Sequence, residues 1–177
     1  RKKWNQSAQY AVLDIPVGEK DLQQCADAVM RLRAEYLYHN ARFEEIVFYD
    51  NLHRAYRFTM PYTRSHFEKY LEKVFAWCGT ASLEKQLKAP VKYADVQAGD
   101  VFIHGGSPGH AVMVMDIAVN RSGDQVFLLA QSYMPAQDIH IVRNQMNEKI
   151  SPWFEGKATD NIVTPEWIFS HSQLRSW

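Results

Sequence analysis

An α+β fold, with N-terminal helices packed on an antiparallel β-sheet, follows from three observations in the chain. Apolar residues recur at near-helical intervals through Asp21–Tyr38 and again through Ser65–Gly79. Four β-rich segments, Val101–His104, His110–Ala118, Gln125–Gln131 and Ile139–Val142, come one after another downstream of them. The 177 residues fit one domain of ordinary size, about 100–150 residues, and leave little room for two; residues 1–177 are read as a single domain. Helices followed by strands lack the alternating order that builds a parallel α/β sheet.

The elements are read in order. Tyr10–Ile15 carries β-branched and aromatic residues and ends at Pro16-Val17-Gly18, a strand followed by a turn. Asp21 stands three residues before Gln24, a capping-box spacing, and Leu22, Cys25, Ala26, Val29, Leu32 and Leu37 form one apolar stripe, which predicts an amphipathic helix over Asp21–Tyr38. Asn40 to Pro61 has no clean period and reads as an irregular excursion or a short strand with a loop. Phe67, Tyr70, Leu71, Val74 and Phe75 give the second helix, Ser65–Gly79, with Gly79 as its stop. Ser82–Leu87 adds a short third helix, and Val96-Gln97-Ala98-Gly99-Asp100 is a tight turn into the strands. Those strands make an antiparallel meander with a hairpin turn at Asn120-Arg121-Ser122-Gly123-Asp124. Thr164-Pro165-Glu166 has the N-cap and N1-proline signature of a terminal helix over Trp167 to Leu174.

Composition excludes several classes of function. Apolar residues make up 46% of the chain and charged ones 23%, enough to build a core and too little charge for disorder. Twenty basic residues balance twenty acidic ones, so no net field draws the chain to nucleic acid or an anionic membrane. The longest apolar runs, Val112–Met115 and Val126–Ala130, fall far short of the ~20 residues that span a bilayer, so no transmembrane segment is expected. The chain opens Arg1-Lys2-Lys3-Trp4-Asn5, without an initiator Met or a signal peptide, and reads as trimmed. Cys25 and Cys78 are too few for a disulfide scaffold or an all-cysteine zinc site; a single bridge is open to them.

The chemistry-bearing residues concentrate in Gly99–Asp116. A Gly- and Pro-rich loop, Gly105-Gly106-Ser107-Pro108-Gly109, delivers His110 to the first position of a strong strand, where a rigid sheet end can hold an imidazole as a general base. Gln131 ends the next strand, and a polar side chain closing an apolar strand is placed to orient that imidazole. Ser132 is a weaker nucleophile candidate, since no Gly-x-Ser-x-Gly pattern surrounds it. Cys25 lies early in the first helix, where N–H groups and the helix dipole favour a thiolate. It also falls on the apolar stripe, and a cap at Asp21 puts it beyond the first three helical positions, so nucleophile and core cysteine both stand as readings. Cys78, beside Trp77, reads as packing. Arg31, Arg33 and Glu35 read as a solvated face. His104 with His110 matches no zinc spacing, and Asp100 and Asp116 read as turn and strand-end residues, so neither metal nor cofactor is expected. Most of the five Trp, nine Tyr and nine Phe are assigned to the core.

An early helix cysteine, a Gly-Asp-hydrophobic strand, a His opening Ala-Val-Met-Val-Met-Asp, and a polar residue ending the following strand resemble, in that order, the papain-like cell-wall peptidases of the NlpC and CHAP kind. The resemblance makes Cys25 the nucleophile, His110 the general base and Gln131 the third polar residue. It implies a papain-like arrangement of the α+β fold. Gln131-Ser132-Tyr133 resembles the amide-Ser-aromatic run of papain-type proteases, while Gln23-Gln24-Cys25-Ala26-Asp27 differs from the usual Asp-Cys-Ser-Gly signature. Over nearly its full length the chain is also similar to an uncharacterised family of bacterial proteins carried as a domain of unknown function, mainly from Bacteroidetes. The segments that carry this are Gln24–Tyr36, Gly99–Asp116 and Ala130–Gln137. That resemblance implies a cell-envelope protein, periplasmic or lipid-anchored. Two functions are expected from the likeness to the cell-wall peptidases: a thiol hydrolase cleaving amide bonds, with peptidoglycan peptides as ligands, or a catalytically inactive envelope binding domain of the same fold.

Overall fold

The computed structural model describes residues 5–88, 91–119, 121, 123–156 and 161–177. The first strand, β1 (Gln9–Val12), is shorter than expected, and the chain then runs irregularly through Gly18, whose φ of 78° suits a residue without Cβ. Helix α1 spans Cys25–His39 and starts three residues later than the Asp21 cap predicts. The Asp21 carboxylate is engaged elsewhere: its Oδ1 accepts the N–H of Ala136 at 2.6 Å. Two-residue turns, Leu22 N–H to Lys20 O at 2.9 Å and Gln24 N–H to Leu22 O at 2.8 Å, hold the intervening backbone out of the helix. Gln24 is the extended N-cap residue, and Asp27 reaches back to accept its N–H at 2.9 Å. Cys25 is therefore the first helical residue, and not one beyond the third.

α1 is buried almost all round for its first two turns, from Cys25 to Leu32, and not along one stripe alone. It packs on the sheet on one side and on the other helices on the other. Arg31, expected on a solvated face, is 6% exposed. Its Nε meets Glu35 Oε1 at 3.0 Å and its Nη1 faces Gln23 Oε1 at 3.4 Å. Glu35 is gripped again by the fork of Arg64, at 2.6 and 2.7 Å, which ties α1 to the next helix.

The stretch 40–61 is more regular than its sequence suggests. Strands β2 (Val47–Tyr49) and β3 (Ala55–Arg57) form a small antiparallel hairpin. α2 covers Arg64–Trp77, capped by Thr63, whose hydroxyl accepts the N–H of His66 at 3.3 Å. α2 ends at Trp77, and Gly79 opens α3 (Thr80–Gln86) instead of stopping α2.

The meander appears as β4 (Val101–His104), β5 (His110–Val119), β6 (Gln125–Gln131) and β7 (His140–Val142), each antiparallel to the next. Of the expected turn between β5 and β6, Asn120 and Ser122 lie outside the described residues, and Gly123 has a φ of 88°. Two short strands, β8 (Phe154–Glu155) and β9 (Ile162–Val163), follow, and in place of the terminal helix stand β10 (Ile168–Phe169), a 3₁₀ turn at His171–Gln173 and β11 (Leu174–Arg175). Thr164 does accept the N–H of Trp167 at 3.1 Å, but its own N–H bonds back to Trp167 O at 2.8 Å and closes a β9–β10 hairpin. The main sheet runs β1-β7-β6-β5-β4-β11, with β8 on the far half of β6.

Both faces of this sheet are covered, which is why its strands read as apolar runs and not as alternations. Val101, Ile103, Ala111, Met113 and Ala130 meet the helices. Phe102, Val112, Val114, Phe127 and Leu129 face Tyr93, Phe154, Ile162, Phe169 and Leu174. The fold class is thus α+β, with helices on one face of an antiparallel sheet and the β9–β10 hairpin on the other. Among the described residues no helix is long and apolar enough to cross a membrane.

The start of α1 carries a pH signature. Burial pushes the Asp27 carboxyl up to about 7 from 3.8, so between those values the folded chain keeps a proton that the unfolded chain has lost. The stability contributed by this group is full below pH 4 and falls as the pH climbs to 7, by on the order of 4 kcal/mol. Asp27→Asn keeps an acceptor for the Gln24 N–H. In urea titrations it is expected to match the wild type at pH 4 and to exceed it by a few kcal/mol at pH 8. A difference that stays level over that range contradicts a buried, titrating carboxyl at this position.

Candidate active site

β5 and β6 pair with Met113 opposite Ala130. Continuing that register sets His110, at the start of β5, and Gln131, at the end of β6, as diagonal neighbours on one face. His110 is 1% exposed and Gln131 fully buried, and His110 Nε2 lies 2.9 Å from Gln131 Oε1. The amide nitrogen of Gln131 donates to Glu166 Oε2 at 2.9 Å and faces His140 Nε2 at 3.4 Å. A carboxylate only accepts, so Glu166 fixes which end of the amide is nitrogen and turns the carbonyl oxygen toward His110. That oxygen requires a donor. His110 therefore carries its proton on Nε2, and its basic nitrogen is Nδ1. His140 fits the same assignment: its Nδ1 donates to Asp138 O at 3.0 Å, leaving Nε2 to accept from Gln131.

Cys25 stands in a cleft of about 390 Å³ whose walls include Leu22, Asp27, Phe75, Gly109, Tyr133 and Trp167. Its thiol is pushed above 9.0 by burial. The backbone N–H groups of Ala111, Ala26 and Cys25 itself act in the opposite sense, and the Asp27 charge adds to the rise. Ala111 directly follows His110, so the sulfur sits at the start of β5, where the imidazole is anchored. The structure thus brings the first turn of α1 to the backbone that directly follows His110. The loop after β6 secures the approach: the Ser132 hydroxyl lies 2.9 Å from Gln23 O and 2.8 Å from Gln137 O, and Ala136 binds Asp21. Ser132 is fully buried between those carbonyls, which makes it a tether and not a nucleophile.

The loop ahead of His110 leaves no room for a side chain at Gly109. A Cβ there would stand 2.5 Å from Thr80 Oγ1 and 2.6 Å from Gly106 O. Thr80, the first residue of α3, donates to Gly106 O at 3.1 Å and accepts the Gly106 N–H at 3.3 Å. Aromatic rings enclose the imidazole of His110: Phe169 stacked at 5.9 Å, Trp167 at 5.9 Å and Tyr133 edge-on at 5.5 Å. Burial raises the Tyr133 hydroxyl above 10.0, with Glu166 and Cys25 adding to it.

Cys78 is a free thiol like Cys25; it lines the same cleft and is pushed up to about 12, chiefly by burial. His104 pairs with His110 across β4 and β5, and its Nδ1 lies 2.9 Å from the Gln173 amide nitrogen. Among the described residues no group of three or more His, Cys, Asp or Glu is placed to hold a metal ion. Asp100 is a turn residue accepting the Gln97 N–H at 2.8 Å, and Asp116 accepts the N–H of Ile117 at 2.8 Å. Glu166, His140, Trp167 and Asp27 are the site residues that sequence reasoning missed. Glu166 and Trp167 lay in a segment read as helix, and no local pattern joins them to Gln131 or His110. Nitrogen-15 NMR of the neutral imidazole is expected to show a protonated Nε2 and a pyridine-type Nδ1 at His110. Gln131→Leu should erase that preference; an unchanged tautomer in the variant refutes the assignment.

No curated protein and no solved structure matches this chain. A family model does, over residues 1–60 and 50–176, which together span nearly the whole sequence. The chain belongs to the family described as Domain of unknown function (4846).

Proposed function

We propose that the chain is a papain-like thiol hydrolase that cleaves amide bonds, with Cys25 as nucleophile, His110 as general base and Gln131 as the group that orients the imidazole. What supports this reading is a first-position helix cysteine in a cleft, lying against the backbone of Ala111, which directly follows a buried histidine bonded to an amide that Glu166 and His140 also hold. Burial keeps Cys25 in the thiol form at neutral pH, so attack needs a base. Nδ1 of His110 takes the thiol proton as the sulfur adds to the carbonyl carbon, and it returns that proton to the amine as the C–N bond breaks. Water then hydrolyses the thioester through the same imidazole. Backbone N–H groups in the first turn of α1 stabilise the oxyanion. Envelope peptides, including those of peptidoglycan, are the proposed substrates and the periplasmic side of the envelope the proposed location. Both rest on the likeness of the Cys, His, polar order to cell-wall peptidases.

A second reading is a binding domain of the same fold without turnover. It is favoured by the 7% exposure of Cys25 and by the upward shift of its thiol.

Iodoacetamide labelling read by mass spectrometry separates the two. In the hydrolase, alkylation of Cys25 follows the imidazole and levels off near neutral pH. In His110→Ala it follows a lone buried thiol and keeps climbing above pH 9. Identical profiles in both proteins, rising only above pH 9, leave the binding domain standing. Against aminoacyl p-nitroanilides, Gln131→Ala is expected to lower kcat about 10²-fold with KM little changed, the cost of a misplaced base. A fall confined to KM assigns Gln131 to ligand binding.

A further inference from the structure

Asp27 sits two residues beyond Cys25 and lines the same cleft, yet it is 6% exposed. One carboxylate oxygen, Oδ2, takes the Gln24 N–H at 2.9 Å. The other, Oδ1, is buried with no hydrogen-bond partner among the described residues. The titratable side chains on the described cleft wall are Asp21, Cys25, Asp27, Cys78 and Tyr133, all acids. No Lys, Arg or His stands among them. A buried oxygen of this kind is completed best by a charged donor.

We propose that the cleft contains a recognition subsite for an ammonium group of the substrate, with Asp27 Oδ1 as its acceptor and the apolar wall of Leu22, Phe75 and Trp167 receiving the attached carbon chain. Ammonium is the fitting cation because one oxygen is already occupied. A guanidinium would need both oxygens for its paired N–H bonds, whereas an ammonium is a point charge satisfied by one. The subsite also acts on the nucleophile. An ionised Asp27 disfavours the thiolate of Cys25, and a bound ammonium cancels that repulsion, so the correct substrate favours the thiolate as it binds. The proposal rests on the cleft being the substrate site and names what the site selects.

The test reads the carboxyl and not the sulfur. Carbon-13 NMR follows the titration of Asp27 in the full chain, alone and with saturating n-butylammonium, n-butylguanidinium or 1-butanol. Cys25, Cys78, Tyr133 and Asp21 are the groups whose titration is followed alongside. n-Butylammonium is expected to lower the Asp27 midpoint from about 7 by one unit or more. It should bind Asp27→Asn at least tenfold more weakly, and butanol should move nothing. Glycine ethylamide, presenting a chain-terminal amine, is compared with n-butylammonium, which mimics an amino side chain; the larger displacement identifies the source. An unmoved midpoint with both amines overturns the subsite, and an equal shift with n-butylguanidinium overturns the choice of ammonium. Because the wild-type midpoint suffices, an Asp27 variant that fails to fold does not block the result. An inert Cys25 in the alkylation experiment removes the hydrolase and leaves this measurement intact.

Discussion

The carboxylate of Asp21 takes the N–H of Ala136 across 115 positions of chain, and much of the site follows from that one hydrogen bond. With Asp21 turned to that bond, Gln24 takes the N-cap position, α1 begins at Cys25, and the sulfur gains the N–H groups of a helix start. The same bond draws the loop after β6 against the entry to α1. Ser132 repeats the connection one step away, between Gln23 and Gln137. With both ties in place, the cysteine of the helical half lies against the strand backbone that directly follows His110.

Two electrostatic demands then oppose each other around the sulfur. Burial and the Asp27 carboxyl favour the thiol, while N–H groups of Ala111, Ala26 and Cys25 favour the thiolate. Burial wins in the resting chain. In the proposed hydrolase, chemistry at Cys25 depends on a base of defined tautomer, and the Gln131 amide, held by Glu166 and His140, supplies that definition. Such a clamp costs conformational freedom at four side chains.

The strands of the sheet were legible because Val, Ile and aromatic residues mark strands whichever face they cover. The His110–Gln131 pair was legible because polar residues at the ends of adjacent antiparallel strands become neighbours once the meander is recognised. What stayed hidden has a common cause in long-range partnership. The spacing of Asp21 and Gln24 is that of a capping box, and only the distant Ala136 shows why none forms. Thr164-Pro165-Glu166 carries a true local turn signal, since Thr164 does bind the Trp167 N–H, but hairpin and helix share that first bond and diverge afterwards. Arg31 looks like half of a surface pair until Glu35 is seen to join a second arginine, Arg64, from another helix. Asp27 offered nothing in sequence to mark it, because burial of a carboxyl beside a cleft is a property of the assembled walls.

The placement of His110 and Gln131 at the ends of strands sandwiched between two apolar layers bears on motion as well as on chemistry. Central strands covered on both sides are the last segments of a domain to exchange their amide hydrogens, whereas loops at their tips open with little cost in free energy. The imidazole and its amide clamp are thus rooted in the slowest-exchanging part of the molecule, and the Gly105–Gly109 segment beside them belongs to its faster margin. Local opening of that margin leaves undisturbed the strand register that sets His110 beside Gln131.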